Sequence, residues 1–283
     1  MRVALVLVLI TILATTSILA QQKATDTKKL TWTNGIGMEF RLIQPGSMRV
    51  GRVELECPDP PDTRDVDEKE RWTQEDFENC QRLANRHSRP GFMVIVEEPY
   101  YIGKHEVTQG QWEKVMGSNP SFFQGDKIEG ESGQHPVENV TWSQAQAFIK
   151  KLNSLDSTAE YRLPTEFEWE YAARAGNREL LSWGETRESA WIQDTNKGGT
   201  RPVGQMKPNA WGLYDMLGNV WEWVADYYNN KTFPDTVPPE SGEVHVLRGG
   251  SFISDVANAT YFYHAGGPGN GYDVGFRIVR EVK

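Results

Sequence analysis

Apolar residues recur at helical spacing in three parts of the chain, and each part opens with the same polar signal. A Thr stands at the start and a Gln or Glu follows three residues later, an arrangement that satisfies the free N–H groups of a first helical turn. The second pattern continues on one helix face, with Ala145, Phe148, Ile149, Leu152 and Leu155. We predict helices after Thr108, Thr141 and Thr165, the last of them ending at Gly176. Burial of their apolar faces explains these helices, so we assign them no chemistry.

Short apolar runs bounded by Gly, Pro and polar residues predict strands elsewhere in the chain. The runs cover residues 38–43, 92–96, 100–102, 244–247 and 274–280, the last being a closing strand. Loops are predicted where apolar residues show neither the helical spacing nor the short runs typical of strands, at residues 180–204, 229–243 and 266–271. The pattern indicates short strands, three helices and much ordered loop, without an internal repeat.

One stretch, residues 212–226, mixes residue types that neither a core strand nor a solvated loop would combine. Its sequence, GLYDMLGNVWEWVAD, places three acids and an Asn among three aromatic residues and two Gly. Buried carboxylates need partners, so one interpretation is a set of buried turns whose oxygens converge on a hard cation such as calcium. The other is a Trp-rich core segment whose acids point outward. The residues alone leave both open.

The net charge and the aromatic content bear on the kind of partner and on the kind of fold. The 283 residues carry a formal net charge of −9 and include 10 Trp. The acidic balance argues against a nucleic-acid partner. The many large rings favour a fold that buries them between loops over a bundle of Leu-rich helices.

The N-terminus predicts an exported protein. Arg2 precedes an apolar run at residues 3–12, and small residues follow up to Ala20, as in a signal peptide. The run is short for a membrane span, so we predict a signal peptide at residues 1–20, a linker at 21–29 and one domain at 30–283. An uncleaved anchor is the alternative. After cleavage near Ala20 we expect a secreted or periplasmic protein with no stable membrane insertion.

An acidic insertion, residues 52–91, interrupts this domain. Residues 54–80 hold eleven acids against three bases, and residues 67–86 are compatible with a helix. We interpret the insertion as exposed, solvated surface. The two Cys of the chain, Cys57 and Cys80, lie in it. In an oxidising compartment we expect them to form a disulfide worth roughly 3 kcal/mol; two free thiols or a reactive pair are the alternatives.

The common catalytic and metal-site patterns are absent from the sequence. The five His include no pair at zinc-ligand spacing. There is no Gly-x-Ser-x-Gly nucleophile elbow, phosphate-binding loop or dinucleotide motif. Asp and Glu are plentiful, so a pair of catalytic carboxylates stays open, but nothing singles one out.

A series of motifs follows a specific order along the chain. They are KHEVTQ at residues 104–109, HPVENVTW at 135–142, YRLPTEFEWE at 161–170, GNVWEW at 218–223, LRGGSF at 247–252 and GFR at 275–277. Together they resemble the formylglycine-generating enzyme family, also called sulfatase-modifying factor. The resemblance covers residues 30–283 apart from the insertion. It implies an α+β fold, the formylglycine-generating-enzyme fold, which is C-type-lectin-like and low in regular secondary structure.

The resemblance also implies a calcium site within residues 212–226. Its ligands would be the side chains of Asp215 and Glu222 and the backbone carbonyls of Gly218 and Val220. Calcium prefers such an oxygen-only set. We therefore expect calcium as a cofactor.

The family's copper chemistry is not expected in this chain. That chemistry converts a sulfatase Cys to formylglycine with two copper-binding Cys after the Gly-Gly-Ser motif, and those positions fall on Ser254 and Ala259. Cu(I) selects soft thiolates, so we expect no copper and assign no catalytic residue. Trp221 and Ser251 correspond to positions of the family's substrate cleft. The alternative is that both are purely structural, Trp221 as a core residue and Ser251 as a turn residue.

Three functions agree with these observations. The first is an exported, calcium-stabilised module that binds a peptide, a glycan or an exported protein in the former substrate cleft. The second is an oxidoreductase or other modifying enzyme of the family that acts on an exported protein through different residues. The third is an interaction module whose contact is the acidic insertion. We favour the first, and the sequence does not name the ligand.

Overall fold

The computed structural model describes residues 30–50, 73–87, 92–178, 181–196, 198–228, 239–267 and 269–282. The predicted signal peptide, the linker and Cys57 lie outside these residues, so their assignments and the Cys57–Cys80 disulfide stay predictions. Cys80 lies on a helix inside the acidic insertion, α1 (Gln74–His87), close to the range that the sequence favours for a helix. Within the described ranges, no helix is both long enough and apolar enough to cross a membrane.

The described strands group into three sheets. In chain order they are β1 (Thr31–Thr33), β2 (Glu39–Ile43), β3 (Gly46–Val50), β4 (Phe92–Val96), β5 (Tyr100–Gly103), β6 (Tyr161–Arg162), β7 (Trp221–Tyr227), β8 (His245–Arg248), β9 (His264–Gly267), β10 (Val274–Phe276) and β11 (Val279–Glu281). One sheet has the order β1-β2-β5-β11-β6, a second has the order β10-β7-β8-β9, and β3 pairs with β4. Neighbouring strands are antiparallel except β10 and β7, which run parallel.

Three helices begin where the sequence predicts them. They are α2 (Gln109–Met116), α3 (Trp142–Leu155) and α4 (Glu166–Arg174), and each starts with a complete capping box. At α3, the N–H of Thr141 donates to Gln144 Oε1 at 2.8 Å, and the N–H of Gln144 donates to Thr141 Oγ1 at 3.2 Å. The capping-box predictions are confirmed because these hydrogen bonds are local and need no partner from elsewhere in the fold.

A further capped helix lies in a segment that the sequence analysis assigns to a loop. It is α5 (Trp183–Ser189), and Ser182 and Glu185 form its capping box. With seven residues and one buried side chain, Thr186, it has no apolar face that a search for periodicity would detect. The loop prediction for residues 180–204 is therefore wrong at this helix.

The predicted closing strand at residues 274–280 is two strands in two different sheets. Phe276 of β10 pairs with Trp223 of β7, whereas Val279 of β11 pairs with Ile102 of β5. The single-strand prediction is wrong because an apolar run reports burial and not the identity of the partner strand. The crossing between the two sheets buries Arg277 beside residues from both.

Aromatic rings join the helices to the sheet that carries the site. Trp112 of α2 stacks on Phe148 of α3 with ring centroids 5.3 Å apart, and Phe276 meets both rings edge-on. Trp223 of β7 donates its indole N–H to the Val140 carbonyl at 2.9 Å. These contacts fix β7, which carries Trp221 and Glu222, and β10, which lies between Asp273 and Arg277.

Candidate functional site

A tight turn after β8 places Ser251 in the interior. Gly250 has a φ angle of +79°, and a Cβ on it would lie 3.2 Å from Ala259 Cα, so glycine is required there. The turn lets the Ser251 N–H donate to Ser254 Oγ at 2.9 Å. Ser251 Oγ in turn donates to Asp273 Oδ2 at 2.9 Å. Ser251 is thereby held between Ser254 and Asp273.

Ser254 and Ala259 are the two positions at which the resemblance expects thiols. Both side chains are buried and both face Gly250, where an added Cβ would lie 3.3 Å from Ser254 Oγ and 3.4 Å from Ala259 Cβ. The two positions therefore converge on one point, as a pair of metal ligands would. The groups present are a hydroxyl and a methyl, and neither supplies the sulfur that Cu(I) selects.

Trp221 begins β7 beside the same turn. Its N–H donates to the Asp273 carbonyl at 2.8 Å, and its half-buried ring lies 5.7 Å from the ring of Tyr263. Asp273 thus connects both predicted cleft residues, Trp221 through its carbonyl and Ser251 through its carboxylate. Burial raises the pKa of the Asp273 carboxyl. Ser251 is fully buried, so a ligand would meet the surface beside it before its hydroxyl.

Three exposed apolar side chains flank this turn, and we call them the apolar surface. They are Phe122, Ile253 and Tyr272, which are 47%, 48% and 51% exposed. The rings of Phe122 and Tyr272 are 6.1 Å apart, and Lys127 Nζ lies 3.6 Å from the centre of the Phe122 ring. Ile253 follows Phe252, whose ring is 6.3 Å from that of Tyr272. Adjacent exposed apolar groups mark contact sites more often than scattered ones.

Glu138 lies beside the apolar surface, although the sequence analysis does not select it. Its Oε1 accepts a hydrogen bond from the Phe123 N–H at 2.8 Å, while its buried Oε2 has no hydrogen-bond partner among the described residues. Burial, with Asp273 nearby, raises the pKa of Glu138 to about 7. This carboxyl is therefore partly protonated near neutral pH.

Replacing Glu138 by Gln should weaken the pH dependence of stability. The folded state holds this proton up to a pKa of about 7 against an ordinary value of 4.5, so its ionisation lowers stability as pH rises between these values. The variant lacks this ionisation. Between these two pH values, its free energy of unfolding should therefore fall by about 1 to 3 kcal/mol less than that of the wild type. Urea unfolding across the range measures it. Glu113→Gln, at an exposed position on α2, is the control; a slope for Glu138→Gln equal to that of the wild type would contradict the expectation.

The two carboxylates predicted as ligands within residues 212–226 lie in the interior of the protein. Asp215 and Glu222 are both buried, which excludes the interpretation that they point to solvent. Asp215 Oδ2 accepts from the Gly204 N–H at 2.7 Å, while its buried Oδ1 has no hydrogen-bond partner in the described parts of the chain. Glu222 accepts two hydrogen bonds from Arg277 at 2.6 Å and one from the Trp169 indole at 2.7 Å.

Glu106 and Arg277 belong to the same charged cluster, although the sequence analysis assigns them no site role. Glu106 accepts from Asn219 Nδ2 at 2.8 Å and from the Val220 N–H at 3.2 Å. Arg277 also donates at 3.1 Å to three backbone carbonyls, those of Gly103, Tyr214 and Asp215. Both residues stand in the quoted motifs, KHEVTQ and GFR. Arg277 lies between the apolar residues Phe276 and Ile278, and this placement is a signal that could have found it. Glu106 lies between His105 and Val107 and has no such signal.

The cluster, Glu106, Asp215, Glu222 and Arg277, holds more acids than bases. Burial raises the pKa of Glu106 well above its ordinary value, and the carboxylates of Asp215 and Glu222 add to the effect. Burial also raises the pKa of Asp215 to about 6. Three carboxyls face one guanidinium, so protons or a bound cation have to balance the remaining charge.

The fold and these site positions agree with one protein family. The profile of the family described as "FGE-sulfatase: Sulfatase-modifying factor enzyme 1-like domain" matches residues 39–282. This chain belongs to that family. The resemblance read from the motifs is thereby confirmed, and so is the predicted α+β fold of the formylglycine-generating enzymes.

Relatives of this sulfatase-modifying-factor domain have different names. Chaperone protein LppX of Paenibacillus barcinonensis is 33% identical over 237 residues, which cover 64% of this chain and 80% of that protein. The formylglycine-generating enzyme of Thermomonospora curvata is 33% identical over 199 residues, 60% of each protein. A mouse protein named inactive C-alpha-formylglycine-generating enzyme 2 is 35% identical over 144 residues, 46% of this chain and 41% of that protein. The matches thus span less than two thirds of the length of the Thermomonospora curvata and mouse proteins.

Solved structures share the fold over nearly the whole sulfatase-modifying-factor domain. Treponema denticola variable protein 1 superposes with a TM-score of 0.69 at 27% identity, covering 88% of this chain and 97% of that one. PvdO from Pseudomonas aeruginosa also gives a TM-score of 0.69, at 21% identity, covering 89% of this chain and 98% of that one. At that identity, the likeness to PvdO concerns the fold alone.

The calcium ion implied for this family can be tested against the residues present. The described residues contain no group of three or more His, Cys, Asp or Glu side chains placed to hold a metal. The implied site needs two carboxylates plus backbone carbonyls. Asp215 offers a buried oxygen without a partner. Glu222 accepts three hydrogen bonds, which leaves about one of a carboxylate's four acceptor positions. Of the two predicted carboxylate ligands, Asp215 is therefore the one with an oxygen left open to calcium.

Proposed function

We propose that this protein is an exported, binding member of the sulfatase-modifying-factor family that holds a peptide or glycan at the apolar surface. The observation that carries the proposal is the pair of convergent positions beside Gly250, which present the Ser254 hydroxyl and the Ala259 methyl. Without thiols at this point, copper chemistry of the family's kind has no ligands. A relative named as an inactive formylglycine-generating enzyme supports the separation of this fold from oxidation.

The apolar surface supports a binding role at the same place. Phe122 and Tyr272 present ring faces and edges to solvent next to the turn that holds Ser251. Aromatic groups supply large contact areas for sugar rings or apolar peptide side chains, with few rotatable bonds to restrain. Lys127, over the Phe122 ring, adds a positive charge. Export is supported by the signal-peptide pattern at residues 1–20, and a protein partner by the relative named as a chaperone.

Binding should depend on the two exposed rings. We expect a peptide or glycan selected from immobilised libraries by the wild-type protein to bind at least about tenfold more weakly to Phe122→Ala and to Tyr272→Ala, because buried aromatic anchors dominate small interfaces. Leu155→Ala is the matched control, since Leu155 is 62% exposed at the end of α3. Surface plasmon resonance gives the dissociation constants. Unchanged affinity of both ring variants, or an equal loss in the control, would refute the proposed site.

We also propose that calcium stabilises this fold through Asp215. Because calcium would bind the folded state, it should raise the free energy of unfolding by roughly 3 kcal/mol at a hundredfold excess over its dissociation constant. A chelator should lower the melting temperature of the wild type, and Asp215→Asn should abolish the difference. Asp255→Asn, at an exposed position, should retain it. A wild-type melting temperature that is insensitive to millimolar calcium would rule the ion out.

A further inference from the structure

A cavity of about 430 Å³ lies at the C-terminal end of α4. Its lining includes none of the residues Trp221, Ser251, Ser254 and Ala259. Its walls come from α4, from α5 and from the segment that leads into β7. Apolar groups form one part of the lining, among them Leu181, Met216 and Leu217. The polar part includes Arg174, Lys207 and Tyr261. A concave site with an apolar lining and a few convergent polar groups is the usual form of a small-molecule site.

Arg174 is the best-defined polar group of this cavity. It is the last residue of α4 and only 9% exposed. Its Nε and Nη2 donate to one oxygen of Glu170, at 2.8 and 2.6 Å. The other oxygen of Glu170 accepts from Arg248 at 2.6 Å, so this carboxylate is held from both sides. Among the described residues, Arg174 Nη1 has no acceptor, and the guanidinium is fixed in place with donors to spare.

The unused donors of Arg174 favour an anion over a cation at this point of the cavity. A helix C-terminus ordinarily attracts positive charge through its free carbonyls. At α4 the carbonyls of Ala172 and Ala173 accept hydrogen bonds from Asn209 Nδ2, at 2.8 and 3.1 Å, so part of that attraction is already satisfied. Two acids line the cavity, Glu185 and Asp215. Glu185 uses one oxygen to cap its own helix through the N–H and hydroxyl of Ser182, and one oxygen of Asp215 accepts from the Gly204 N–H. The two bases of the lining, Arg174 and Lys207, equal these acids in number, and Arg174 is the buried one with donors to spare.

Tyr261 and Lys207 complete the polar side. Burial raises the pKa of Tyr261 to about 12, so its phenol keeps a proton to donate. Lys207 pairs with Glu188 at 3.0 Å in an exposed ion pair, which a ligand can exchange at little cost. An oxyanion between these two residues could accept hydrogen bonds from the charged, planar guanidinium of Arg174 and from the neutral hydroxyl of Tyr261.

We propose that this cavity binds a small carboxylate with an apolar body. The carboxylate accepts hydrogen bonds from Arg174 Nη1 and the Tyr261 hydroxyl, with Lys207 at the rim. The hydrocarbon part packs on Leu181, Met216 and Leu217. Neither Phe122 nor Tyr272 lines this cavity, so the site is separate from the apolar surface, whereas Asp215 of the proposed calcium site lies in the cavity lining.

Three probes with the same hydrocarbon chain test the proposal on the full-length wild-type protein: octanoate, octanol and octylamine. Titration followed by backbone NMR should show saturable binding of octanoate, about tenfold tighter than either other probe, with shifts at Tyr261 and Leu217. Tyr261→Phe and Lys207→Gln should each weaken octanoate about threefold to tenfold. Lys151→Gln, at an exposed position on α3, should not.

Several results would overturn it. Equal affinity for octylamine or octanol would show that the basic groups do not select the ligand. Shifts confined to Phe122 and Tyr272 would place the carboxylate on the apolar surface instead. Absence of saturable octanoate binding at millimolar concentration would leave the cavity without this role. Arg174→Lys is a secondary variant, because loss of the bonds to Glu170 puts its folding at risk; the comparison of probes on the wild type does not depend on it. Binding to Phe122 and Tyr272 variants tests the proposed function separately.

Discussion

Arg277→Met is expected to lower the free energy of unfolding by about 3 to 5 kcal/mol, or to prevent folding. The guanidinium is fully buried and donates to both oxygens of Glu222. Its removal leaves Glu222 without its cation and deprives three backbone carbonyls of a donor. Glu106 and Asp215 lie in the same cluster and would lose the same positive charge. An uncompensated buried carboxylate costs far more than a lost surface ion pair.

Urea unfolding with a chelator present measures this effect without a contribution from calcium. The control is Lys207→Met, which breaks the exposed pair with Glu188 and should change stability by less than about 1 kcal/mol. The double variant Arg277→Met with Glu222→Leu should recover part of the loss, because it removes both charges of the pair. If Arg277→Met matched the control, the cluster would not be the centre of stability that its burial indicates.

Local chemistry explains the parts of the fold that the sequence predicts well. The starts of α2, α3 and α4 are each set by a Thr and the residue three positions later, so four residues contain the whole signal. The same signal is present at Ser182 and Glu185 before α5. No apolar periodicity follows it, so the spacing of apolar residues does not predict this helix. Capping chemistry is therefore the more reliable guide for short helices in this chain.

Long-range pairing explains what the sequence does not reveal. An apolar run at residues 274–280 is equally compatible with one strand or with two, and the division at Arg277 depends on which strands lie beside it. The motifs contain Ser251, Glu222 and Arg277, but they do not show that Arg277 pairs with Glu222, and Asp273 lies outside them. Asp273 is 22 positions from Ser251, and Arg277 is 55 positions from Glu222. Contacts over such separations come from the packing of the two sheets and have no local signature.

The substitution of two side chains should give this site the ability to bind copper. Ser254→Cys combined with Ala259→Cys is expected to bind one Cu(I) per chain. The Ser254 Oγ and the Ala259 Cβ lie 3.3 and 3.4 Å from the point that a Cβ on Gly250 would occupy, and thiolates are the ligands that Cu(I) prefers. The wild-type protein is expected to bind none there. The change from no bound copper to a stoichiometric ion is the largest effect anticipated for any variant of this site.

Competition with a chromogenic Cu(I) chelator measures the bound metal. Ser254→Cys alone should bind more weakly than the pair, and the control pair Ser254→Cys with Ile253→Cys should not match it, because Ile253 is exposed rather than directed at Gly250.

Mass spectrometry of a sulfatase-derived Cys peptide, incubated with copper and each protein, then reports formylglycine. Stoichiometric copper in the wild type together with turnover of the peptide would overturn the binding-module proposal. Turnover by copper-free wild type would favour the alternative of a modifying enzyme that uses other residues. A double Cys variant with no gain in affinity would show that the two positions do not form one ligand pair.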